Sequence, residues 1–164
     1  MADTQTLHGL DDVLAKLKAL PPEIVSKSGG PVKTALRKGA KVIADEAVRN
    51  IRQIVDQPDE SGYVSTGLLA KSVVVRRDPR PQRSGANERF RVLLARKKYP
   101  GRKLGTIATG RYLEFGTEQQ PATPWLGPAF MAKRQEALDT VVRELLAGVD
   151  KVVRKLSRTG RRGA

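Results

Sequence analysis

Apolar residues recur every three or four positions in three stretches of this chain and become strand-like in two others. The first stretch, LHGLDDVLAKLKAL, aligns Leu7, Leu10, Val13 or Leu14, Leu17 and Leu20 along one side of a short N-terminal helix. Pro21 and Pro22 end it, because proline lacks the next N–H and clashes with the preceding turn. Gly29-Gly30-Pro31 then resets the backbone, and Pro31 suits the first turn of a new helix. From Pro31 to about Val55 the spacing predicts one long helix of roughly 36 Å at ~1.5 Å per residue. Its buried stripe is Val32, Leu36, Ala40, Ile43, Ala47, Ile51 and Ile54; Lys41 and Asp45 pair on the opposite face.

Asp56 to Gly67 is dense in Asp, Pro, Ser and Gly and reads as a loop. Val73-Val74-Val75 is β-branched and fits a strand. RFRVLLARKKY predicts a second strand, with Phe90, Val92 and Leu94 on one face. RYLEFGT predicts a third, closed by Gly116, and neighbours in sequence favour an antiparallel meander. A final helix runs from about Pro128 to Leu156, with Leu138, Val141 or Val142, Leu145, Val149, Val152 and Leu156 inward. The fold class expected is α+β: an antiparallel sheet of three to four strands packed against two long helices plus a short N-terminal helix. Residues 1–156 form a single domain on this reading, with mobile loops about 56–66, 78–88 and 96–110. Residues 157–164 are a basic disordered tail.

Composition adds to that picture. The 164 residues allow one ordinary domain. The apolar share of 39% is below the ~45–50% usual for globular domains, which suggests flexible segments or a core completed by neighbouring subunits. No apolar run approaches the ~18 residues of a membrane-spanning helix, and MADTQTLHGLDD has neither the basic nor the apolar region of a signal peptide. The absence of cysteine excludes disulfides and thiol chemistry and fits a reducing cytoplasm. The net charge of +14 is uneven. Residues 1–60 balance at nine basic and nine acidic, whereas residues 61–117 carry thirteen basic and three acidic. Such an excess implies a polyanionic neighbour, nucleic acid or an acidic protein surface, with solubility alone as the bland reading.

Candidate chemistry is thin. His8 is the single histidine and has no cysteine with which to share a metal. Asp56, Asp59 and Glu60 cluster without a glycine-centred calcium loop. Glu114, in the expected third strand among aromatics, is a carboxylate that could be tuned for acid–base work. A structural ion pair with one of the many arginines is the favoured reading. With no phosphate loop, zinc helix or nucleophile beside a base, the sequence argues against an enzyme and implies no cofactor. The basic residues Arg76, Arg77, Arg80 and Arg83, then Arg96, Lys97, Lys98, Arg102 and Lys103, lie at strand ends and in loops, with only Phe90 and Tyr99 interleaved. That is too few aromatics for a single-strand stacking platform, so DNA contact would be to phosphates and independent of sequence.

The densest signal is YLEFGTEQQPATPWLGPAF. It holds four of the seven aromatic residues (Tyr112, Phe115, Trp125, Phe130) and three of the ten prolines (Pro121, Pro124, Pro128). Each proline fixes its own φ and restricts the residue before it, which makes residues 121–128 a rigid strap at low entropic cost. Two roles stay open for Trp125 and Phe130: stapling the last helix onto the sheet, or anchoring a neighbouring subunit.

TGLLAKSV, YLEFGT and QPATPWLGPAF together resemble the head–tail joining or tail-completion proteins of long-tailed, siphovirus-type bacteriophages. Thr66, Gly67, Leu69 and Ser72 match a Thr-Gly-x-Leu-x-x-Ser segment that follows a long helix. Glu114, Phe115, Gly116 and Thr117 match an aliphatic-Glu-Phe/Tyr-Gly-Thr element. Pro121, Ala122, Pro124, Leu126, Pro128 and Ala129 match the opening of the last helix, with Trp125 where Phe is commoner and Gly127 where a basic residue is frequent. The resemblance spans about residues 11–156. It implies a structural ring of the virion neck or upper tail, a hexamer, through which the genome passes, assembled in the host cytoplasm. Its partners would be itself, neighbouring neck and tail proteins, and duplex DNA in the channel without sequence preference. A free-standing, sequence-nonspecific DNA-binding protein is the alternative.

Overall fold

In a computed structural model the described residues are 30–55 and 65–160. The expected N-terminal helix, His8, and the Asp56, Asp59 and Glu60 cluster lie outside them. Three helices are present: α1 (Pro31–Val55), α2 (Thr106–Phe115) and α3 (Leu126–Gly160). Two strands, β1 (Val73–Arg77) and β2 (Phe90–Leu94), pair antiparallel with Val73 opposite Leu94 and Arg77 opposite Phe90. Short 3₁₀ turns occupy Ala70–Ser72 and Pro81–Ser84.

The α+β class stands; where a sheet of three to four strands was expected, the described residues contain two. The segment expected as a third strand is helical, and so is part of the loop expected over 96–110. Tyr112 and Phe115 favour strands locally, and Gly110 reads as a helix breaker. Tertiary contacts decide otherwise. Thr106 and Gly110 are buried, four residues apart, with Leu113 half-buried next on that side. A Cβ on Gly110 would lie 2.1 Å from Leu94 Cδ1, so the missing side chain lets α2 lie directly against β2. The Thr106 hydroxyl donates to Ala95 O at 2.7 Å and accepts from the Lys97 amide at 3.1 Å, fixing the start of α2 to the chain leaving β2.

The chain forms two compact units. One is Ala40–Arg134; the other joins Met1–Gly39 to Gln135–Ala164, described from residue 30 to residue 160. The core of Ala40–Arg134 is Ala47, Ile51, Leu69, Ala70, Trp125 and Ala129, with Val73, Leu94, Leu113 and Leu126 packed on it. In the other unit the beginning of α1 packs on α3 through small residues. Ala35 and Ala137 are buried, a Cβ on Gly39 would lie 2.4 Å from Val141 Cγ2, and Pro31 approaches Gly148. Ala47 and Ile51 of the expected α1 stripe are fully buried, while Val32, Leu36, Ala40, Ile43 and Ile54 are half-buried. The deepest positions include Ala35, Gly39 and Ala44, small residues that allow close approach and that an apolar pattern does not single out.

Candidate assembly surface

The strap joins the C-terminus of α2 to the N-terminus of α3. Gly116 ends α2 at φ 74°, a conformation that favours glycine, and its amide donates to Tyr112 O at 2.8 Å. A Cβ there would come within 2.9 Å of the Ala122 amide nitrogen, so the strap folds back tightly over Gly116. Thr117 and Gln120 close the turn through a backbone bridge, and the Thr117 hydroxyl accepts from the Gln120 amide at 3.1 Å. The Thr123 amide then donates to Leu113 O at 2.8 Å, satisfying a carbonyl in the last turn of α2.

Glu114 anchors the other end. Its carboxylate accepts from the backbone amides of Trp125, Leu126 and Gly127, each at 2.8 Å. The next residue, Pro128, has no N–H, so Glu114 meets the first free donors of α3 and opposes the positive end of its dipole. The expected arginine partner is thus replaced by three amides. Gly127 fits because a Cβ would lie 3.1 Å from Glu114 Oε1. Both carboxylate oxygens are engaged in holding one helix to another.

Trp125 and Phe130 differ in burial. Trp125 is 3% exposed and sits in the core; its indole N–H donates to Gly110 O at 2.9 Å, and its carbonyl accepts from Asn50 Nδ2 at 3.0 Å. Phe130, one turn into α3, is 47% exposed, and Phe115 is 76% exposed. With Ile43, Val92 and Ile107 they line an apolar cleft of about 890 Å³.

The first motif is structural. Gly67 has φ 62°, Leu69 is in the core, and the buried Ser72 hydroxyl donates to Leu69 O at 2.7 Å. The Ser72 carbonyl accepts from the Ala95 amide at 2.7 Å, tying the start of β1 to the end of β2. Thr66, at the exposed beginning of the motif, accepts from the Leu68 amide at 3.4 Å. Ala129 is buried in the core, whereas Pro121, Pro124 and Pro128 are exposed along the strap.

The basic residues fall into two groups. Around the β1–β2 hairpin, Arg77 makes a two-pronged pair with Glu88 at 2.7 and 2.8 Å, which holds its guanidinium above its ordinary pKa. Arg76 faces Arg91 across the sheet, a like-charge pairing that the buried Asp78 offsets, 3.7 Å from Arg91 and 3.8 Å from Arg89. Arg80 and Arg83 line a shallow cleft beside Asp78. The second group, Arg96, Lys97, Lys98 and Lys103, joins Arg111 around a cleft of about 320 Å³ that no carboxylate lines. Lys97 donates to Lys71 O at 3.2 Å. Arg102 lines a different cleft, with Tyr99, Leu104 and Tyr112. Sequence reasoning missed Arg111 and Ile107, because both belong to a helix read there as loop and strand.

Among the described residues no group of acidic or histidine side chains could hold a metal ion, and no helix is long and apolar enough to cross a membrane.

The family model described as "Bacteriophage HK97-gp10, putative tail-component" matches residues 11–116. The chain belongs to this HK97-gp10-like family. The match takes in the Thr66–Ser72 motif and ends at Gly116, just before the strap. No curated protein and no solved structure matches the chain.

Proposed function

We propose that this HK97-gp10-like protein is a non-enzymatic structural component of the phage neck or upper tail. In this reading it is a ring-forming tail-completion or head–tail joining protein, a hexamer through which DNA passes. The observation that carries the reading is the apolar cleft rimmed by Phe115 and Phe130. The cleft lies beside a strap whose other bulky residue, Trp125, is buried. A monomer has no evident use for two exposed phenylalanines there, whereas a closed ring needs complementary faces on each copy. The engagement of Glu114 with three amides supports a structural role for the most suspicious carboxylate in the chain.

Native mass spectrometry over a concentration series, with negative-stain imaging, tests this. Closed homo-oligomers of defined stoichiometry are expected. A strict monomer that also fails to bind neighbouring neck and tail proteins overturns the reading. The cation cluster without carboxylates favours a second reading, a free-standing nonspecific DNA-binding protein. That protein would shift duplex DNA by itself, with steep salt dependence.

A further inference from the structure

The apolar cleft and the cation cleft adjoin, since Ile107 and Arg111 line both. On one side Phe115 and Phe130 offer bulky apolar surface. On the other, Arg96, Lys98, Lys103 and Arg111 are exposed and have no carboxylate partner among the described residues. Glu114, the one acidic residue at this face, is engaged by α3 amides. Duplex DNA would use the cations but gains nothing from a large apolar recess, since phosphate contacts are polar and carry most of nonspecific affinity. A face pairing apolar anchors with unpaired cations fits an acidic amphipathic helix.

The middle of α3 carries such a stripe, although the helix as a whole has seven basic and four acidic residues. Along α3, Glu136, Asp139, Arg143, Leu146 and Asp150 are exposed at three- and four-residue spacing, hence on one stripe. The stripe is net acidic, and Leu146 at 56% exposure is its large apolar residue. The stripe is ~21 Å long at ~1.5 Å per residue.

We infer that the Phe115–Arg111–Lys98 face of one copy receives the Glu136–Asp150 stripe of α3 from a second copy. The contact joins two different surfaces, so each copy offers one of each and a closed ring can form. The inference rests on the ring reading above and names the surfaces that would build the ring.

The test uses the full chain and its self-association by light scattering and native mass spectrometry. Lys98→Glu with Lys103→Glu, and separately Asp139→Lys with Asp150→Lys, should each weaken self-association about a hundredfold by placing like charges together. Mixing the two variants in equal amounts should restore oligomers, since each then offers the face the other needs. Phe115→Ser should lose oligomers with its melting temperature unchanged. If the parent forms rings and neither charge variant disturbs them, the proposed face is wrong and the ring reading stands. A parent that stays monomeric overturns the self-contact, and the ring reading is then decided by binding to neighbouring tail proteins. If Lys98→Glu with Lys103→Glu abolishes a salt-sensitive shift of a random-sequence duplex and leaves oligomers intact, the cations serve DNA and the proposal fails.

Discussion

The two compact units are held together by different physics. Ala40–Arg134 has an aromatic at its centre: Trp125 fills the core, and Glu114 pins the helix that carries it. The other unit has no aromatic among its described residues. It draws on close approach of α1 and α3 at Gly39 and Ala35, and on an ion pair between Lys38 and Glu144 at 2.7 Å. A unit with a large anchor concentrates its stability in few residues, whereas one made of small contacts spreads it thinly. Substitutions should therefore grade steeply from the first unit to the second.

The largest effect is expected at Trp125. Trp125→Ala removes a buried indole and its hydrogen bond to Gly110 O, and should cost about 3–5 kcal/mol in denaturant unfolding. Unchanged unfolding, with loss only of oligomers, would move Trp125 to the interface and make Phe130 its ordinary neighbour.

Next comes Glu114. Glu114→Ala leaves three amides at the start of α3 without their acceptor, and about 1–3 kcal/mol should be lost. Glu114→Gln keeps an acceptor without the charge and should lose less. Equal losses would mean that the charge against the helix dipole, rather than the hydrogen bonds, does the holding.

These two residues also show where the sequence was legible. The prolines and aromatics of the strap marked it as a structural joint, because rigidity and bulk are properties of the residues themselves. The long helices α1 and α3 were legible from spacing, and the β1 strand from its valines. The helical state of RYLEF was not, since it depends on Leu94 filling the space above Gly110 and on Thr106 reaching Ala95. Those contacts join residues 11 to 16 positions apart, beyond any local pattern. The division of the arginines and lysines into a carboxylate-paired hairpin and an unpaired cleft was equally hidden, because it turns on where Asp78 and Glu88 end up.

In the second unit the strongest expectation concerns Gly39. Glycine to alanine in a helix normally gains about 1 kcal/mol of propensity. Here the added Cβ would lie 2.4 Å from Val141 Cγ2 and 2.9 Å from Ala137 O, and the second is backbone that cannot swing aside. Overpacking of this kind costs about 1–3 kcal/mol, so Gly39→Ala should come out destabilising by a smaller margin than Trp125→Ala. A stabilised variant would show that the two helices separate at little cost, and that this unit owes less to close contact than its geometry suggests.

The smallest effect is electrostatic. The hydrogen bond from Lys38 holds the Glu144 carboxyl below its ordinary pKa, and the Coulomb attraction of the same ammonium adds to it. A depressed carboxylate stabilises the folded state above its unfolded value of about 4.3, and that contribution disappears as pH falls through the lowered folded value. Lys38→Ala should therefore lower the melting temperature slightly at neutral pH and not at all once Glu144 is protonated. Because the pair is solvent-exposed, the neutral-pH difference should also shrink with added salt. A difference that persists in acid would assign the effect to packing of the lysine stem. Lys38 would then act through contact, as the small residues around Gly39 do.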